Sequence, residues 1–193
     1  MNNADLIYGT GKYERKPMDF YPTPTDVTHA LYDHLERHLL IGKDTFVWEP
    51  ACGDGDMADV LIERGCYVAA TDIRGTEYAC SHNGGRIDFV NDPYPFIAPP
   101  SWIITNPPFN VSEAFIRKCL NYNVPFALLL KSQYWHSMKR NALFYERKPM
   151  FVCPLSWRPA FEGKGKSSLM DFVWTIWGRE SEDARYLPLK RKA

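Results

Sequence analysis

The chain has no apolar run long enough to cross a bilayer, and no N-terminal apolar core preceding a cleavage site. No helical membrane anchor is expected, and a soluble cytoplasmic protein is. It has no excess of either charge, with 23 Lys and Arg balanced by 23 Asp and Glu, so the total does not argue for a nucleic-acid partner. Its five cysteines (Cys52, Cys66, Cys80, Cys119, Cys153) are odd in number and include no C-x-x-C pair. Neither a disulfide framework nor a zinc site is indicated, and buried thiols are expected. The histidines form no catalytic group and no metal set: His34 and His38 stand one turn apart with no third ligand nearby, and a solvated helix face is the expected reading. What the chain does have is a hydrophobic content of 45% and an aromatic content of 15% over 193 residues. That suffices for one α/β domain with a substantial core, expected to span residues 1–193, with residues 1–18 as a flexible arm.

The most informative stretch is Asn106-Pro107-Pro108-Phe109. Trp102-Ile103-Ile104-Thr105 before it reads as a buried strand, so the tetrapeptide lies where a strand opens into a loop. Two prolines cannot continue a sheet ladder, since neither has an N–H to donate. What they leave is an amide side chain, a stiff backbone with outward carbonyls, and an aromatic ring expected to be exposed. That set suits a flat base with an exocyclic amine, which offers two N–H groups and a π face. Taken alone, the same tetrapeptide is also compatible with a simple rigid turn.

A second signal lies upstream. Phe46-Val47-Trp48 is an apolar run that enters Glu49-Pro50-Ala51-Cys52-Gly53-Asp54-Gly55-Asp56, then a helical stretch from Met57 to Arg64 ending at Gly65. Strand, glycine turn and helix together make a nucleotide-type cofactor site, because glycines admit the ligand close to the backbone and helix N–H groups point into the same space. The third glycine of the dinucleotide fingerprint is missing. Glu49, Asp54 and Asp56 would repel a diphosphate but suit an ammonium or sulfonium group. Tyr67-Val68-Ala69-Ala70-Thr71 reads as the next strand and ends at Asp72, placed to accept from a ribose diol, with Ile73 beside it. Arg86-Ile87 ends similarly in Asp88-Phe89.

These residues, in this order, resemble the amino (N6-adenine) DNA methyltransferases that use S-adenosyl-L-methionine, and in particular their compact phage-type members. Asp19-Phe20-Tyr21-Pro22-Thr23-Pro24 looks like the family's N-terminal cofactor motif, Glu49 to Gly55 like its glycine loop, and Asn106 to Phe109 like its catalytic tetrapeptide. The resemblance implies a Rossmann-like class I methyltransferase fold and cofactor contacts from Tyr21, Thr23, Glu49, Ala51, Gly53, Asp54, Asp72, Ile73, Asp88 and Phe89. Thr23 and Glu49 would face the methionine end, Asp72 the ribose, and Asp88 the cofactor adenine's amino group. It implies catalysis by Asn106, Pro107, Pro108 and Phe109 on an adenine flipped out of duplex DNA. Arg158-Pro159-Ala160-Phe161 looks like the family's base-closing loop, which makes Arg158, Phe161 and Lys164 candidate substrate contacts. RNA and protein-glutamine methyltransferases share Asn-Pro-Pro but usually continue with Tyr and lack the N-terminal motif. A non-catalytic relative is the other alternative. No segment is large enough to be the separate target-recognition domain that many members carry. The candidates for that task are Ser132 to Pro149, the Arg158 to Lys166 loop and the N-terminal arm.

Charge is unevenly distributed. Asp44 to Asp92 holds ten acids and three bases, a net of −7, whereas Asn110 to Met170 holds ten bases and three acids, a net of +7. The first segment suits a cationic cofactor and the second a phosphate backbone, although surface lysines also serve solubility alone. Elsewhere the pattern predicts a doubly wound, mostly parallel sheet. Thr25 is expected to cap a helix reaching about Leu40, with Val27, Ala30, Leu31 and Leu35 inward. A helix over Ser112 to Asn121 is expected to bury Ala114, Phe115 and Leu120. Phe126 to Leu130 reads as a central strand, with further strands near Met150 to Pro154 and Asp171 to Trp177.

Overall fold

A computed structural model describes residues 21–82, 84–161, 168, 170–179 and 183–191. Asp19, Phe20, Lys164 and the expected 1–18 arm lie outside the described residues. The strands are β1 (Phe46–Glu49), β2 (Tyr67–Asp72), β3 (Gly85–Arg86), β4 (Trp102–Thr105), β5 (Phe126–Lys131), β6 (Phe151–Pro154), β7 (Phe172–Trp177) and β8 (Arg185–Tyr186). They form one eight-stranded sheet in the order β3-β2-β1-β4-β5-β7-β6-β8. Strands β3 to β5 are mutually parallel, and β7 runs antiparallel to both β5 and β6.

The apolar runs explain this layering. A strand covered on both faces needs apolar residues at every position, because successive side chains point to opposite sides. Val47, Ile104, Ala127, Leu129 and Trp174 join one core with helices α1 (Thr25–Arg37) and α2 (Asp56–Glu63). Trp48, Ile103, Leu128, Leu130 and Trp177 join the opposite core with helix α4 (Ser112–Tyr122) and with Leu143 of α5 (Met138–Glu146). The three most deeply buried indoles have their N–H groups satisfied. Trp48 donates to Thr71 Oγ1 at 2.9 Å, Trp174 to the Val27 carbonyl at 3.1 Å, and Trp177 to the Arg147 carbonyl at 3.0 Å. Cys52, Cys66, Cys119 and Cys153 are buried thiols and Cys80 is exposed. No helix among the described residues is long and apolar enough to cross a membrane.

Several local expectations need correction. Pro24, not Thr25, occupies the cap position of α1; its carbonyl accepts from the Val27 N–H at 3.0 Å and no side chain caps the helix. The helix stops at Arg37, short of Leu40, because Leu39 turns left-handed (φ 57°) and the Leu39 and Leu40 N–H groups fold back onto Glu36 and Leu35. His34 is not on a solvated face. It is 3% exposed, packed edge-on to Phe151 at 4.8 Å with Cys153 Sγ 3.8 Å from Nε2, and burial depresses its pKa to about 4. It lies seven residues after Val27, so it continues the apolar stripe. On α4 the buried set is Ser112, Phe115, Ile116 and Cys119, while Ala114 and Leu120 are half-buried, one step around the helix from the expected face. The short helix α3 (Glu77–Ser81), helix α5 and strand β8 were not anticipated.

Candidate active site

The sheet order reverses at β1, whose neighbours are β2 on one side and β4 on the other. In open α/β sheets the space beyond the carboxyl ends of such strands is the usual ligand crevice. Here Glu49, Asp72 and Asn106 stand at or just past the ends of β1, β2 and β4, and all three line one cleft of about 320 Å³. That is the size of a small-molecule site.

The floor of the cleft is the β1–α2 turn. Gly53 (φ 60°) and Gly55 (φ 99°) adopt left-handed backbone, and a Cβ on Gly55 would lie 2.2 Å from the Tyr78 ring. Turned this way, the Gly53 N–H donates to Asp72 Oδ2 at 2.9 Å, tying the turn to the end of β2. Asp72 is otherwise clamped by Arg74, whose backbone N–H and Nε both reach Oδ1 at 2.9 Å while Nη2 reaches Oδ2 at 3.3 Å. Glu49 is 2% exposed, and its Oε2 is buried without a hydrogen-bond partner. Desolvation, reinforced by Asp56 and Asp72, raises its pKa well above the ordinary range. Burial raises Asp56 in the same direction. A buried carboxyl with one oxygen unpartnered among other acids is costly when ionised in isolation and becomes favourable beside a cation.

The opposite wall is the Asn106 corner. Asn106 Nδ2 donates to Thr23 Oγ1 at 3.1 Å and reaches the Tyr21 carbonyl at 3.5 Å. Because a carbonyl can only accept, this pairing sets which end of the amide is the NH₂ group. Oδ1, at the other end, is shielded from solvent and has no partner. The segment carrying Tyr21 and Thr23 therefore holds the amide in place, an arrangement that separates the two residue groups by more than eighty positions in sequence.

The remaining candidates distribute as follows. Tyr21, Ala51, Ile73, Asp88, Phe89 and Pro108 line the cleft. Asp88 Oδ1 caps a turn through the Val90 and Asn91 N–H groups at 3.0 and 3.1 Å, and Oδ2 takes Asn91 Nδ2 at 2.8 Å. These bonds hold its carboxyl below the usual range. Asp54 is exposed and does not line the cleft, and Asp56 takes the position expected of it because it opens α2 and turns inward. Pro107 is buried beneath the corner. Phe109 is not a bare exposed ring. It is half-buried, stacked on Tyr21 at 5.9 Å, and carries Lys131 Nζ 4.0 Å from its centroid. Phe161 is 9% exposed and packs on Phe172 at 4.7 Å, with Tyr21 at 6.5 Å; it closes the back of this aromatic group instead of presenting a free face. Arg158 pairs with Asp171 at 2.9 Å on the surface. Arg74 and Asn91, which line the cleft, and Lys131, over Phe109, are not singled out as site residues by the sequence. A base two residues after the strand-end acid was the available signal for Arg74, and a lysine ending a central strand was the signal for Lys131.

No protein-family model matches the sequence, and no curated protein matches it. Solved structures do match in shape. A putative RNA methyltransferase from Pyrococcus horikoshii superposes with a TM-score of 0.66 at 11% identity, covering 93% of this chain and 98% of that one. The methyltransferase subunit of a type I restriction-modification system from Streptococcus thermophilus gives 0.66 at 11% identity, over 87% of this chain and 47% of that one. A putative class I S-adenosylmethionine-dependent methyltransferase from Listeria monocytogenes gives 0.62 at 12% identity, over 99% and 71%. The fold is the Rossmann-like class I methyltransferase fold. At these identities the likeness concerns the fold, and chemistry has to be argued from the cleft itself.

Proposed function

We propose that this protein transfers a methyl group from S-adenosyl-L-methionine to the N6 amino group of adenine in DNA. The observation that carries the reading is the shared cleft: Glu49, with one buried carboxyl oxygen unpartnered, and Asn106, with its amide oxygen unpartnered, line the same space. One suits a cationic ligand and the other suits an N–H donor. When bound, S-adenosylmethionine would supply a methyl group whose bond to a cationic sulfur breaks as the N–C bond forms, the sulfur leaving as a neutral thioether and the methylated amine releasing its surplus proton to solvent.

The chain's own residues do the rest. Glu49, which a cation beside it would hold ionised, and Asp56 offer negative charge toward the sulfonium and its neighbouring ammonium, in surroundings dry enough for that charge to count. Asp72 accepts from the ribose hydroxyls once Arg74 yields an oxygen, the weakest of its contacts being the 3.3 Å one. Asp88 Oδ2, with a single partner, accepts a further N–H from the cofactor's adenine. Asn106 Oδ1 accepts one N–H of the substrate amine and the Pro107 carbonyl the other. An aromatic amine is a weak nucleophile because its lone pair is delocalised into the ring. Two such bonds favour a pyramidal nitrogen and aim the lone pair, and fixed orientation is worth several orders of magnitude in rate. Thr23 keeps the amide from rotating. Phe109 supplies a stacking wall, worth about 1–3 kcal/mol per base. A duplex adenine reaches this corner only when flipped out.

Adenine in DNA is favoured over an RNA or glutamine-amide substrate by the resemblance of Phe109 and the Tyr21-Pro22-Thr23 segment to the amino DNA methyltransferases; the same segment grips Asn106. The test is incubation of the protein and methyl-labelled cofactor with duplex DNA, RNA and a protein extract in parallel. Label in DNA that co-elutes with N6-methyladenine after hydrolysis is the expected result; label confined to RNA or protein rejects the reading.

A further inference from the structure

Phe109, between the cleft-lining Pro108 and Asn110 in sequence, itself lines a second cavity of about 150 Å³, with Ser112, Lys131, Gln133, Tyr134 and Arg140. At ~30 Å³ per water it has the volume of about five waters, room for a tetrahedral oxyanion. Two of its six walls are cationic and none is acidic. The acid noted near Tyr134 is Glu113, which is engaged by Arg117 at 2.9 Å on α4. Arg140 is held before any ligand arrives. Its Nε donates to the Tyr134 carbonyl at 2.8 Å, Nη2 reaches the Gln133 carbonyl at 3.5 Å, and the guanidinium lies 4.0 Å above the Tyr134 ring. Among the described residues no carboxylate pairs with Arg140. A guanidinium tied through Nε and braced on a ring still presents N–H groups outward, the pre-organised fork that suits a phosphate oxygen. Tyr134 adds a hydroxyl that is buried and has no hydrogen-bond partner. On the far wall, Lys131 holds its ammonium over Phe109, on the ring expected to stack the base.

We propose that this cavity is a phosphodiester subsite, in which Lys131 and Arg140 grip the backbone phosphate of the nucleotide whose base reaches Asn106. The subsite rests on the reading of the main cleft as a nucleic-acid methyltransferase site, and gives it a substrate-side anchor. A base entering over Phe109 competes with Lys131 for the ring face, and the phosphate that travels with that base offers the displaced ammonium a new partner. Base capture and phosphate capture are thereby coupled through one side chain.

The experiment is a salt titration of affinity for mixed-sequence duplex DNA and duplex RNA, on the wild type and on Arg140→Gln, Lys131→Gln and the control Arg185→Gln at the far edge of the sheet. Each cavity variant is expected to weaken binding about tenfold and to lower the slope of log affinity against log salt by about one, as the loss of one phosphate contact requires. Arg140→Lys should restore most of the slope, and Arg185→Gln should leave it alone. The duplex that shows these effects identifies which nucleic acid supplies the phosphate. A neutral methylphosphonate placed in turn beside a methylated adenine should weaken wild-type binding at one position, where Arg140→Gln is no longer sensitive. Unchanged slopes in both cavity variants, with methyl transfer intact in the wild type, would overturn the subsite and leave the enzyme reading standing. The predicted slopes in a protein that transfers no methyl would do the reverse.

Discussion

Replacing Asn106 with Ala removes one acceptor and one donor, and the two have different consequences. The acceptor, Oδ1, makes no bond in the free protein, so its loss costs the folded state nothing and falls wholly on the reaction. Removing one pre-organised partner of a developing charge typically costs about 10²–10³ in kcat, or about 2.7–4 kcal/mol. The donor, Nδ2, makes one well-formed bond to Thr23 Oγ1 at 3.1 Å and a marginal one to the Tyr21 carbonyl at 3.5 Å. Losing the first costs about 0.5–1.5 kcal/mol, which for a domain of this size lowers Tm by roughly 1–6 °C. Affinity for S-adenosylmethionine should stay within about twofold, since the acidic turn is untouched. The assay is single-turnover transfer of labelled methyl at saturating DNA, with cofactor affinity by calorimetry and Tm by scanning calorimetry. A variant that keeps kcat within tenfold of wild type refutes the assignment of Oδ1. A variant that loses cofactor binding in proportion to turnover refutes the separation of the two walls.

Thr23→Val keeps the shape but removes the oxygen that anchors Nδ2; kcat should fall roughly tenfold with KM little changed, and a rise in KM alone would deny Thr23 its positioning role. Gly55→Ala forces a Cβ into the Tyr78 ring at φ 99°, a strain of about 1–3 kcal/mol, so Tm should drop by roughly 2–12 °C; an unchanged melt would show that the turn adapts freely. Glu49→Gln tests the buried acid through pH. A carboxyl whose pKa is raised in the folded state keeps its proton there while the unfolded chain has released it, so wild-type stability declines as pH rises above the ordinary value of 4.5. The Gln variant should decline less and melt higher than wild type near pH 8, while binding S-adenosylmethionine more weakly and neutral S-adenosylhomocysteine about as well. Parallel pH profiles in the two proteins would remove Glu49 from this role.

How far these features can be read from sequence depends on whether the cause is local. Strands β1, β2, β4 and β5 were legible because a strand covered on both sides must be apolar throughout, and each such run ends abruptly at Glu49, Asp72, Asn106 or Lys131. Gly53 and Gly55 were legible because their left-handed backbone is a property of single residues. Contacts that close across the fold were not. Nothing local ties Thr23 to Asn106, or sets Lys131 over Phe109. The Arg74 clamp on Asp72 spans two residues but depends on a side-chain choice that periodicity does not encode. His34 was legible and was misread, since it continues the Val27 and Leu31 stripe. Its polarity points to solvent while its position points inward, and the buried partner, Phe151, arrives from a strand more than a hundred residues away. Strand β8 escaped because two exposed residues, Arg185 and Tyr186, carry no alternation to detect.

The central claim is that the acidic turn and the Asn106 corner face each other closely enough for one transfer to span them. A crystal structure of the protein with S-adenosylmethionine and an adenine-containing oligonucleotide measures this directly. The account predicts the sulfonium beside Glu49 and Asp56, with its methyl directed at an amino nitrogen that donates to Asn106 Oδ1. A cofactor lodged elsewhere, or a methyl turned away from Asn106, would contradict it.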